Sequence, residues 1–138
     1  MIQMESLFLT QLLLCFLGGT AASFFNRGEE TANRLTHLLA DLAGAVGVFY
    51  SLAVLLTGRP FTLEWPGIRQ AGSLQFAVDS LSAFFIFVVS FLSLASSIFA
   101  IGYTRGYQGR KNVALLGFFY HFFILSMILV VSVQNAFY

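Results

Sequence analysis

Charge is what this sequence lacks most. Only 9% of its 138 residues are Asp, Glu, Lys or Arg, while 58% are apolar. A soluble domain carries about 25% charged residues, so the deficit points to lipid as the main solvent. Cysteine is nearly missing too: Cys15 stands alone, which excludes a disulfide within the chain. Its place inside an apolar run marks it as a small buried hydrophobe rather than a redox group. A net charge of +1 with no basic stripe gives no basis for nucleic-acid binding. No metal-ligand spacing, nucleophile motif or phosphate-cradling glycine loop occurs. Nothing here composes a catalytic centre, and no cofactor is expected.

What is present is four long apolar runs. The clearest lies between Asp79 and Arg105, where no charged side chain occurs. As a helix rising about 1.5 Å per residue, it is long enough for a hydrocarbon core about 30 Å thick. Asp79 stands where the positive end of the helix dipole falls, and Tyr103, Arg105 and Tyr107 supply interfacial anchors at the other end. The runs predict helices at 6–25, 38–57, 79–103 and 113–133. The first is preceded by Glu5 and no Lys or Arg, unlike a secretory signal, and reads as a retained span. Gly18, Gly19, Ala21 and Ala22 in the first helix, and the pairs Ala40/Gly44 and Ala43/Gly47 in the second, suit close helix packing in lipid. In the third, Ser82, Ser90, Ser93 and Ser97 share a stripe. That stripe should face neighbouring helices, with a hydrophilic track as the functional alternative.

Residues 59–78 differ in kind. Phe61, Leu63 and Trp65 alternate with Thr62 and Glu64, and Leu74, Phe76 and Val78 alternate with Gln75 and Ala77. Two period-two runs separated by Pro66, Gly67 and Gly72 read as a β-hairpin outside the membrane. The expected fold is therefore all-α and integral to a membrane, with four transmembrane helices and a short external hairpin between helices two and three. Orientation follows from Lys and Arg. The first and third links hold Arg27, Arg34, Arg105, Arg110 and Lys111, against Arg59 and Arg69 in the hairpin link. The two basic links belong in the cytoplasm, and the hairpin and both ends of the segment outside.

Three ionisable residues are candidates for a proton path. His121 lies near the middle of the fourth helix, and an imidazole there passes protons near neutral pH or, more plainly, bonds a neighbouring helix. Asp41 follows His37 by four residues, which permits a contact on one helix face, and an acid there also suits a helix N-terminus. Asp79 is most simply a helix-start residue.

More specific is the order of several short motifs: Asp79-Ser80-Leu81-Ser82-Ala83-Phe84, Tyr103-x-Arg105-x-Tyr107-x-Gly109, Gly117-Phe118-Phe119, Ser126-Met127 and Asn135-Ala136-Phe137. From Phe76 to Tyr138 the chain resembles the N-terminal part of the antiporter-like membrane subunits of the complex I and hydrogenase-4 family. Ahead of Phe76 the likeness rests on the layout of two helices and a hairpin. Ser80 stands where many complex I members have Gly, which leans toward the hydrogenase branch. The resemblance implies a subunit of a large complex coupling electron transfer to proton or sodium movement, with other membrane-arm subunits and the lipid bilayer as partners. Within that resemblance the location is a bacterial-type inner membrane, and no flavin, quinone or iron–sulfur cluster is bound by this part. The family's translocating Glu and Lys lie on later helices, so none transfers to a position here, and the chain is expected to be a fragment. Besides this reading stand two others: a stand-alone membrane scaffold or assembly protein, and a proton channel using His121 and Asp41.

Overall fold

A computed structural model describes residues 2–24, 29–65, 74–104, 106 and 113–134. The hairpin turn with Pro66, Gly67 and Gly72, the link residues Arg27, Arg69, Arg105, Tyr107, Arg110 and Lys111, and Asn135-Ala136-Phe137 lie outside the described residues. In chain order come α1 (Ile2–Phe24), α2 (Glu29–Thr57), β1 (Phe61–Trp65), β2 (Leu74–Val78), α3 (Ser80–Thr104) and α4 (Val113–Ser132). All four helices are long and apolar enough to cross a membrane. Helix α2 begins at Glu29 rather than 38 because hydropathy marks only the part matched to lipid; its apolar window is Arg34–Thr57.

Each helix turns one stripe inward at steps of three and four residues, the spacing that keeps side chains on one face. In α1 the stripe is Phe8, Gln11, Cys15 and Gly18; in α3 it is Ala83, Ile86, Ser90, Ser93 and Ser97; in α4 it is Gly117, His121, Ile124, Ile128 and Ser132. Helix α2 is central. It packs along both α1 and α3, while α4 lies mainly on α1. Its inward residues Ala40, Ala43, Gly44 and Gly47 do the work expected of small side chains. A Cβ added at Gly44 would press on Leu94 and the Ser90 carbonyl, and one at Gly47 would collide with Gln11 and Ser90.

The distribution of polarity is the reverse of a soluble protein. Gln11, His37, Ser51, Ser90, Ser97 and His121 are buried, whereas Leu56, Phe99 and Val130 are each more than 70% exposed. Water would penalise such an apolar exterior heavily; lipid does not, and small or hydrogen-bonding residues then mark the interfaces between helices.

The hairpin is antiparallel, with Phe61 opposite Val78 and Leu63 opposite Phe76. That register turns Phe61, Phe76 and Val78 toward the bundle, where they are buried. Phe8 of α1 sits with its ring centroid 6.2 Å from Tyr50, 6.0 Å from Phe61 and 5.8 Å from Phe76. This aromatic knot seats the strands on the end of the bundle where α1 starts and α2 and α4 finish. The chain leaving α4 ties in as well: Val133 bridges Phe76, and the Gln134 N–H donates to the Gln75 carbonyl at 3.0 Å. Between α2 and β1, Gly58 takes φ 61° and its N–H donates to the Val54 carbonyl at 2.9 Å. That left-handed residue ends the helix, a position where a Cβ is disfavoured.

Candidate functional site

Two polar clusters hang on the serine stripe of α3. Near mid-bundle, the Tyr50 hydroxyl donates to Gln11 Oε1 at 2.7 Å, and Gln11 Nε2 donates to Ser90 Oγ at 2.9 Å. The three residues join α2, α1 and α3, and all are essentially inaccessible. A buried amide in lipid has no water to satisfy it, so its partners must come from other helices.

The second cluster lies nearer the end where α1 and α3 finish and α2 and α4 begin. Ser97 Oγ donates to the His37 carbonyl at 3.1 Å and lies 3.2 Å from His37 Nδ1. Because its one hydroxyl proton is committed to the carbonyl, Ser97 can only accept from the ring. His37 is then the tautomer with hydrogen on Nδ1, and its Nε2 carries a lone pair. His121 follows the same logic. Its Nδ1 is 2.9 Å from the Gly117 carbonyl, which can only accept, so Nε2 is again the free acceptor. That Nε2 presses against Gly18 of α1, where a Cβ would overlap the ring. Tyr120 donates to the Ser93 carbonyl at 2.7 Å, which leaves the Ser93 hydroxyl, 3.3 Å away, to donate to the tyrosine oxygen.

Asp41 joins this group electrostatically. His37 lies within electrostatic range of both Asp41 and His121, and Tyr120 within range of Asp41. Among the described residues, Asp41 Oδ1 and His121 Nε2 are buried atoms without a hydrogen-bond partner. A cleft of about 350 Å³ between α3 and α4 is lined by His37, Ala100, Leu116, Gly117, Tyr120 and Phe123, among others. Among the described residues, no three His, Cys, Asp or Glu groups are placed to hold a metal ion.

Asp79 is elsewhere, exposed at the hairpin end. Its Oδ1 accepts the Ser82 N–H at 2.7 Å and its carbonyl accepts the Ala83 N–H at 2.8 Å, the geometry of an N-cap. The bond from the Ser82 backbone holds its carboxyl below the usual value of 3.8. The structure thus brings Asp41 and His121 into one region around His37 and leaves Asp79 out of it. Gln11 and the central place of His37 were missed from sequence. The available signal was the stripe Phe8, Gln11, Cys15, Gly18, on which small and polar residues recur at helical spacing.

This geometry is found in a chain with identifiable relatives. Residues 70–112 match the family described as NADH-ubiquinone oxidoreductase (complex I), chain 5 N-terminus. Hydrogenase-4 component B of Escherichia coli (strain K12) is 32% identical over 130 residues, which is 94% of this chain. By sequence, the chain is similar to the antiporter-like membrane subunits of complex I and hydrogenase-4. It spans 19% of the length of that relative. No solved structure matches it. With four apolar helices and these relatives, the protein is membrane-embedded. The likeness to the antiporter-like subunit reaches through α1 and α2, where the motifs alone offered only layout. The first motif now has a physical account. Asp79 caps α3, the Ser82 hydroxyl donates to the Val131 carbonyl of α4 at 2.9 Å, and Ala83 is fully buried at the contact.

Proposed function

We propose that this chain is the N-terminal four-helix portion of a membrane-arm subunit that moves protons or sodium ions, in a complex that couples electron transfer to ion movement. The observation that carries this reading is the 32% identity to hydrogenase-4 component B across nearly the whole chain. Its role is to pack the start of the antiporter-like bundle. The outward apolar faces of α3 and α4, with Phe84, Phe91, Phe99 and Phe119 about half exposed or more, suit further helices as well as lipid. Other membrane-arm subunits are its partners. The hairpin end faces outward from a bacterial-type inner membrane, on the strength of five basic residues in the two links and at the start of α2's apolar window against two in the hairpin link.

The test is the mass and company of the native polypeptide. An antibody against the hairpin sequence should detect a product several times larger than 15.2 kDa, migrating on a native gel with hydrogenase or NADH-oxidising activity. A product of 15.2 kDa outside any complex would overturn the reading and favour a scaffold.

A further inference from the structure

We propose that His37, Asp41 and His121 form a single proton-exchange site inside the bundle, with His37 as its centre and the cleft between α3 and α4 as its opening. The proposal concerns these side chains whether or not the chain belongs to a pumping complex.

Four observations converge. Both rings are oriented by protein acceptors on Nδ1, so each presents Nε2 as a base. A histidine placed only to bridge helices would be expected to use both nitrogens, since an unpaired buried polar atom is costly. His121 is 1% exposed and its Nε2 has no partner among the described residues; the same holds for Asp41 Oδ1. Asp41 lies one turn beyond His37 on the same face of α2. Finally, His37 and Gly117, whose carbonyl anchors His121, both line the cleft.

Among the described residues, few other groups surround the site. Helix α1 contributes the Cys15 thiol, α3 only hydroxyls, and α4 Tyr120, whose proton is committed to Ser93. Arg34 lies one turn before His37 on α2 and is exposed. The ligand is a proton delivered by water. It binds the Nε2 lone pair of His37 and forms an imidazolium close to the Asp41 carboxylate. It leaves either back to the cleft or inward to Nε2 of His121, and His37 returns to its neutral tautomer in both cases. The two rings are alternative holders of one proton, since two adjacent imidazolium ions would repel.

The experiment is solid-state nitrogen NMR of the native polypeptide, in its native assembly and in lipid, with labelled histidine. Resonances are assigned from the variants His37→Gln and His121→Gln. Ring nitrogen shifts report tautomer and protonation directly. Both rings should show hydrogen on Nδ1 when neutral, and His37 should begin to take up a proton before His121 does as the pH is stepped down from about 8 to about 5. Asp41→Asn, which keeps the side chain's shape, should shift the His37 midpoint to lower pH by about tenfold or more in proton concentration. Two outcomes would overturn the proposal. One is wild-type rings that stay neutral throughout that range or carry hydrogen on Nε2, a result that needs no variant. The other is a His37 midpoint indifferent to Asp41→Asn. No turnover is measured, so failure of this site and failure of the assembly reading are separately visible.

Discussion

Gly18→Ala should loosen the bundle through one ring. The added Cβ would fall more than an ångström inside ordinary contact with His121 Nε2 and Cδ2, and 3.0 Å from Cε1. His121 cannot swing aside freely, because it is 1% exposed and its Nδ1 is held by the Gly117 carbonyl at 2.9 Å. Retreating by an ångström would stretch that bond beyond useful length. The cost combines overpacking, about 1–3 kcal/mol, with one lost hydrogen bond, about 0.5–1.5 kcal/mol. A loss of about 2–4 kcal/mol is therefore expected, measured as reversible unfolding in lipid bicelles. The diagnostic is a double-mutant cycle. His121→Ala alone costs stability by leaving a cavity, but in that background the Gly18→Ala methyl has room, so the second change should cost far less than it does alone. If the two substitutions add within about 0.5 kcal/mol, the ring does not determine the approach of α1 to α4.

Gln11→Leu should cost about 1–3 kcal/mol in the same assay, because it strands the Tyr50 hydroxyl. Adding Tyr50→Phe should return part of that loss by removing the stranded donor. Asp79→Ala should cost about 1 kcal/mol through loss of the α3 cap. The cap also sets a pH dependence. The folded carboxyl lies below its usual 3.8, so its contribution is complete above that value and disappears as pH falls through the lower folded one. Asp79→Asn should keep most of the stability and lose that acid-side slope, measured by unfolding at stepped pH; an unchanged slope would assign it to another group.

The helices and the hairpin were legible because each has a period. Phe61, Leu63, Phe76 and Val78 alternate as a strand face must, and the charge-free stretch after Asp79 is long enough for a bilayer. The serine stripe was readable for the same reason: Ser90, Ser93 and Ser97 each meet a different side chain, Gln11, Tyr120 and His37. What sequence could not give was the partner. Gln11 interrupts an apolar run, and nothing in the run says that Tyr50 and Ser90 will meet it. His37 and Asp41 share a helix face by spacing, whereas His121 lies on another helix and joins them only through packing. Helix ends were least legible where charged residues continue the helix past the lipid, as at Glu29.

The two ends of the bundle differ, and the difference bears on what this segment can do alone. At the link end lie Asp41, His121 and His37, the last of which lines a cleft. Toward the hairpin the interior changes to Ile86, Ile124 and Ile128, and then to the knot of Phe8, Tyr50, Phe61 and Phe76 capped by two strands. Between these regions the described polar groups are Gln11, Cys15, Tyr50 and the serines, all of them ordinarily uncharged at neutral pH. A proton reaching His121 therefore has no exchangeable group ahead of it in this interior and must return or pass to a helix outside the segment. Vesicles holding only these 138 residues should stay proton-tight under an imposed pH gradient, read with an internal dye. A leak abolished by His37→Gln would mean that the aromatic knot is permeable and the segment is itself a channel. Tightness would show that the segment is not a channel by itself.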